Sequence, residues 1–126
     1  MRALLDTSIV IATDVKALEG DLAISAVTLA ELHFGVLAAR DADTRAERLR
    51  RLSLLQRRFD ALPFDEVVAA SYGQIAAAVT RAGRQPRAQS MDLLIAATAH
   101  AHAARLYTRN PDDFIGAGEL VEILPA

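Results

Sequence analysis

The chain has 126 residues, of which 52% are hydrophobic and 24% charged, with a formal net charge of -2 and no cysteine. That length suits one domain of residues 1–126 with a real core, and the apolar content excludes a disordered chain. No apolar run reaches the length of a membrane span, the N-terminus lacks a secretory pattern, and the absence of cysteine removes disulfides and thiolate ligands, so a cytoplasmic, non-membrane protein is expected.

In chain order, Arg2–Asp6 reads as a short strand whose successive Ala3, Leu4 and Leu5 suit a parallel strand buried on both faces. Ile9–Ala12 starts a helix that Thr7 or Ser8 can cap. The acidic stretch Asp14–Asp21 reads as a loop, and Leu22–Ser25 as a second brief strand. From Val27 to Arg40 the apolar spacing becomes helical, with Ser25 or Thr28 as cap. Thr28 and Glu31 also have capping-box spacing, which would give Glu31 a structural task. After the break at Asp41–Thr44, a helix from Thr44 to Phe59 carries Leu49, Leu52 and Leu55 along one side.

Leu62-Pro63-Phe64 is extended, because proline disfavours helix at and before itself. Asp65 then caps a helix running to Gly83. Gly83–Ser90 is a polar loop, Ser90 caps a helix over 91–104, and Leu106–Thr108 forms a strand. Pro111–Phe114 reads as a turn and Leu120–Leu124 as a last strand. Strand and helix signals alternate, which predicts an α/β fold with a central, mainly parallel sheet flanked by helices.

Functional residues of such sheets gather beyond the carboxyl ends of the strands. Asp6 stands at one such end, Glu31 and Asp92 lie in early helical turns, and Asn110 and Asp113 follow a strand. Two carboxylates about 4 Å apart repel by roughly 4 kcal/mol at an effective dielectric near 20. Several in one pocket need a cation, and an all-oxygen donor set favours Mg²⁺ or Mn²⁺ over Zn²⁺. Each acid also has a plainer explanation: Asp92 suits the dipole of its helix, and Asp113 is a turn acid. The histidines His33, His100 and His102 do not share a helix face and make no metal triad.

"LLDTSIVI" (4–11), "ISAVTLAELHFGV" (24–36), "MDLLIAATAHAH" (91–102) and "LYTRNPDDF" (106–114) together resemble, in order and spacing, the PIN domain and within it the VapC-type toxin ribonucleases of bacterial toxin–antitoxin pairs. The resemblance covers nearly the whole chain and implies a three-layer PIN-like sandwich. It implies that Asp6, Glu31, Asp92 and Asp113 are catalytic acids and that Asp6, Asp92, Glu31, Asn110 and Asp113 hold Mg²⁺, with Mn²⁺ an alternative. Many relatives have Asp at the position of Asn110, so either Asn110 or Asp113 completes the set. Thr7, Ser8 and Thr108 match hydroxyl positions that orient carboxylates or water.

The same resemblance implies metal-assisted hydrolysis of cellular RNA by an endoribonuclease, a homodimer or larger toxin–antitoxin assembly, and inhibition by a cognate VapB-type antitoxin. Among the 14 basic residues Lys16 is the only lysine. Arg45, Arg48 and Arg51 on the Thr44–Phe59 helix, Arg84 and Arg87 in the polar loop, and Arg109 are the expected RNA contacts, since guanidinium suits phosphate. The competing reading is a non-catalytic RNA-binding or regulatory protein with a PIN-like fold. A phosphatase with an aspartyl nucleophile lacks its second acid at Ser8, and a receiver-like domain lacks its lysine.

Overall fold

The computed structural model describes all residues, 1–126, and its first strand begins at residue 2. Four strands, β1 (Arg2–Leu5), β2 (Asp21–Ala23), β3 (Arg105–Thr108) and β4 (Ile123–Pro125), form one sheet in the order β2-β1-β3-β4. Every pairing is parallel: Leu4 aligns with Ala23 on one side and with Leu106 on the other, and Tyr107 aligns with Leu124. All four carboxyl ends therefore meet at one edge.

Five helices cover the sheet: α1 (Thr7–Val10), α2 (Ala26–Leu37), α3 (Ala42–Arg58), α4 (Glu66–Arg81) and α5 (Ser90–Ala101). Leu4 and Leu106 face a core of Val68, Ile75 and Val79 from α4 and Leu93, Ile95 and Ala96 from α5. Ala3, Leu5 and Tyr107 face the opposite way, toward Ile9, Ile24, Val15, Leu18, Leu29 and Phe59. Covering on both faces explains why β1 is continuously apolar rather than alternating. The result is the expected α/β sandwich with a parallel sheet between helical layers.

Several boundaries differ from those read in the sequence, each for a local reason. Asp41, not Thr44, caps α3: its carboxylate accepts the Thr44 backbone N–H at 2.8 Å and the Thr44 hydroxyl at 3.0 Å. Thr44 is the third helical residue, whose amide a capping side chain reaches. That pair of bonds, the backbone one first, lowers the Asp41 pKa. Ser90 is the first residue of α5 rather than its cap, because a 3-10 turn over Pro86–Gln89 runs directly into the helix; the Ser90 hydroxyl donates back to the Arg87 carbonyl. β4 begins three residues later than expected, since Ala117–Glu119 makes a further 3-10 turn. That turn opens at Gly116, where φ is +93° and an added Cβ would lie 2.8 Å from Val79 Cα, so the chain passes α4 too closely for a side chain.

Phe114, only 1% exposed, anchors the 3-10 turn Pro111–Phe114 to the α4–α5 core. Phe114→Ala is expected to lower unfolding free energy by about 3–5 kcal/mol in urea titration, through lost burial and the cavity left behind. A loss below 1 kcal/mol would show that this turn is not held by its aromatic anchor.

Candidate active site

Asp6 follows β1 directly, and its backbone N–H donates to the Tyr107 carbonyl at 2.9 Å, so it stands between the ends of β1 and β3. It is 4% exposed. Two hydroxyls converge on one of its oxygens: Ser8 Oγ donates to Oδ2 at 2.6 Å and Thr108 Oγ1 at 2.8 Å. Each hydroxyl is itself positioned by the chain after β3, since Ser8 Oγ accepts the Arg109 N–H at 3.1 Å and Thr108 Oγ1 the Asn110 N–H at 3.0 Å. Backbone donor, hydroxyl and carboxylate thus run head to tail in two converging chains, each bond polarising the next. Oδ1 receives no protein donor yet is not sealed from solvent, so it is the oxygen left for a ligand.

Glu31 lies in the second turn of α2. Ser25 caps that helix, its hydroxyl accepting the Thr28 N–H at 3.1 Å, so the Thr28–Glu31 capping box does not form. Glu31 Oε1 instead accepts the Thr7 hydroxyl at 2.7 Å. The single Thr7 proton is spent there, so the 3.0 Å contact between Thr7 and Thr28 runs from Thr28 to Thr7. Ser25 donates in turn to Thr28 at 3.4 Å. A relay of three hydroxyls therefore ends on Glu31. The sequence offers Thr28 only as a cap; its i, i+3 spacing to Glu31 is the signal that it shares that face.

Asp92 occupies the first turn of α5, half-buried, where the helix dipole alone would favour its ionised form. The opposite shift prevails. Burial, followed by repulsion from Asp6, Asp113 and Glu31, pushes its pKa up to about 6. Acids from the end of β1, from α2 and from the turn after β3 thus all act on Asp92 of α5 at the carboxyl edge of the sheet. Asn110 precedes that turn with an exposed, neutral side chain, whereas the charge of Asp113 is felt at Asp92.

The structure brings no group of three or more His, Asp or Glu side chains close enough to hold a metal ion between them, so the expected set of Asp6, Glu31, Asp92 and Asp113 is not assembled as a ligand cluster. Mg²⁺ does not require one: it keeps several waters and takes one or two carboxylates. An oriented Asp6 with one open oxygen, beside an Asp92 whose charge is disfavoured without compensation, fits such an ion. His100 lies elsewhere, its Nδ1 2.9 Å from Ser71 Oγ between α5 and α4.

The expected RNA contacts divide into two groups. Arg45, Arg48 and Arg51 lie on one face of α3 and turn inward, donating to the carbonyls of Ala39 at 3.1 Å, Gly35 at 2.7 Å and Ile11 at 3.1 Å respectively. They fasten α3 to the ends of α1 and α2 as well as carrying charge. Arg109 is held by Asp14 through two bonds, at 2.5 and 3.1 Å, which lower the Asp14 pKa and raise that of Arg109. Arg84 and Arg87 are exposed beside α5, and neither belongs to an ion pair.

The PIN domain family model matches residues 3–119. The chain belongs to the PIN-domain family. It is 38% identical over 116 residues to the ribonuclease VapC5 of Mycobacterium tuberculosis, covering 87% of this chain and 83% of that protein. It is also 38% identical over 100 residues to the toxin FitB of Neisseria gonorrhoeae, covering 77% and 70%. The structure of VapBC-5 from M. tuberculosis, a member of the VapBC family of toxin–antitoxin systems, superposes with a TM-score of 0.83 at 36% identity, covering 99% of this chain and 98% of that one. That of FitAcB from N. gonorrhoeae gives 0.78 at 30%, covering 97% and 96%. This PIN protein is closely related to VapC- and FitB-type toxins, and that kinship is consistent with ribonuclease-like activity.

The raised pKa of Asp92 has a definite sign. A carboxyl whose folded pKa exceeds its unfolded value stabilises the fold below about pH 4 and loses that contribution as pH rises through about 6. Without metal, Asp92→Asn should therefore raise Tm at pH 8 relative to the parent by about 3–6 °C, the shift ~1 kcal/mol produces at this chain length. The difference should shrink toward pH 4.5. Differential scanning calorimetry at the two pH values checks it, and a variant less stable at pH 8 would contradict the crowding of these acids.

Proposed function

We propose that residues 1–126 form one PIN domain acting as a divalent-cation-dependent endoribonuclease toxin that hydrolyses phosphodiester bonds in cellular RNA. The observation that carries this reading is the buried Asp6 carboxylate, fixed through one oxygen by Ser8 and Thr108 with the other left open, next to a half-buried Asp92 that feels the charges of Asp6, Asp113 and Glu31. Kinship with proteins named ribonucleases supports the chemistry. Solved relatives that are antitoxin complexes, among them FitAB on a DNA fragment, support restraint by a cognate VapB-type antitoxin. Our reading also includes a cytoplasmic homodimer that can enter a larger toxin–antitoxin assembly; no helix is long and apolar enough to cross a membrane.

In this mechanism Asp6, through Oδ1, and Asp92 would hold Mg²⁺ or Mn²⁺, with Glu31, Asp113 and the amide oxygen of Asn110 around it. Bound there, the ion would supply Lewis-acid stabilisation of charge on the phosphate and lower the pKa of water. Ser8 and Thr108 keep Asp6 from rotating, so its open oxygen is always presented. Glu31, fixed at Oε1 by Thr7, has its other oxygen available to accept a proton from the attacking water. Water adds to phosphorus, the bond to the 3′-oxygen breaks, and the products carry a 5′-phosphate and a 3′-hydroxyl. Arg84 and Arg87 carry free positive charge near α5 and offset the repulsion between RNA and the acids.

Cleavage of total RNA in Mg²⁺, with the ends mapped, tests this reading. Asp6→Asn and Asp92→Asn should abolish cutting, and Glu31→Gln should slow it by about 10²–10⁴-fold, the range of a general base. Cutting by Asp6→Asn at the parental rate, or a 2′,3′-cyclic phosphate product, would refute it. Separately, Arg84→Ala with Arg87→Ala should weaken single-stranded RNA binding and reduce the slope of log K against log salt by about 1.4, from roughly 0.7 per phosphate contact. An unchanged slope would remove these two from the RNA path.

A further inference from the structure

A cleft of about 420 Å³ opens between α1, α2 and α3, lined among others by Thr7, Glu31, Gly35, Arg48, Arg51 and Leu55. Three features give it a chemical character. Thr7 and Glu31 belong at once to this cleft and to the acidic edge, so whatever enters it lies against the candidate active site. Half of its lining residues are apolar, and its volume falls within the ~300–1,000 Å³ range of small-molecule sites. Arg48 and Arg51 stand in its wall without a carboxylate partner, their guanidinium heads steadied by carbonyls of Gly35, Val10 and Ile11. Each guanidinium has five N–H donors, so donors remain after these bonds.

We propose that this cleft is a nucleotide subsite, seating the base next to the scissile phosphate on its apolar wall while Arg48 and Arg51 hold the adjoining phosphate. The inference rests on the nuclease reading and adds to it a location for substrate selectivity. Charge complementarity selects the occupant: unpaired, pre-positioned cations beside an apolar recess suit an unstacked nucleotide of a single strand. The phosphate contacts set register, and the recess is the part able to discriminate among bases.

Gly35 provides a clean test. It lies within α2, lines the cleft, and an added Cβ would meet nothing within 4 Å. Gly35→Leu therefore fills the recess while replacing a residue that weakens a helix interior. Binding of fluorescent single-stranded decaribonucleotides of the four homopolymer sequences is measured on the Asp6→Asn chain, with and without Gly35→Leu, and with Arg48→Gln as a second variant. The subsite predicts an affinity loss of about tenfold or more for Gly35→Leu, the scale of one lost base contact, and a flattened ranking of the four oligomers. Arg48→Gln should weaken all four alike.

Equal affinity and ranking with and without Gly35→Leu, in chains of equal Tm, would overturn the proposal. So would a Gly35→Leu chain that binds RNA normally but releases a co-expressed antitoxin, because the cleft would then be a protein groove. Failure of the unmutated chain to cut RNA would instead sink the nuclease reading, with the affinity comparison still deciding the cleft.

Discussion

Asp6 is a carboxylate almost wholly withdrawn from water, at a point where it and two further acids, Asp113 and Glu31, act on a common neighbour, Asp92. Burying such a group costs several kcal/mol unless donors compensate it. The Ser8 and Thr108 hydroxyls do so, and both are braced by backbone amides of the turn after β3. They compensate only one oxygen. The other is oriented and unsatisfied by protein, which is the condition a ligand site needs and a structural carboxylate avoids. Asp92 shows the same imbalance from the other side, its ionisation opposed first by burial and then by its acidic neighbours even though its helix dipole favours it.

The parallel sheet makes this arrangement possible. Four strands running one way bring the residues after β1, β2 and β3 to a single edge, although Asp6 and Thr108 are 102 positions apart in sequence. Helix α3 contributes differently. Its arginines at 45, 48 and 51 recur every three residues, so one face of the helix delivers them to the exposed carbonyls at the ends of α1 and α2. Those carbonyls lack helical partners, and a guanidinium satisfies them while remaining charged. The helix thereby closes a cleft against the acidic edge and supplies positive charge to it.

The acids were legible because their surroundings were. An apolar triplet followed by Asp6 marks a strand end, Glu31 stands in the second turn of one helical run and Asp92 in the first turn of another. The parallel sheet was legible for the same reason, since Ala3-Leu4-Leu5 does not alternate. What escaped were features decided by distant contacts. Nothing near Arg109 in sequence announces Asp14, 95 positions away, and nothing near Arg51 announces the carbonyls at the end of α1. Ser90 looked like a cap because serine commonly is one, but the preceding Pro86 turn had already begun winding the chain. The choice between Ser25 and Thr28 as cap of α2 depended on which hydroxyl reached a free amide, and that decision released Glu31 to face Thr7.

In the proposed mechanism a divalent cation would relieve the crowding of Asp92 beside Asp6 and so compete with the proton on Asp92. Calorimetric titration of the metal-free chain with Mn²⁺ at pH 6, repeated in buffers of different ionisation enthalpy, counts the protons displaced. The account predicts saturable binding that releases about half a proton at pH 6 and almost none at pH 8, since a ligand carboxylate must shed its proton to bind. Saturable binding with no proton release at pH 6, or no binding at all, would contradict it.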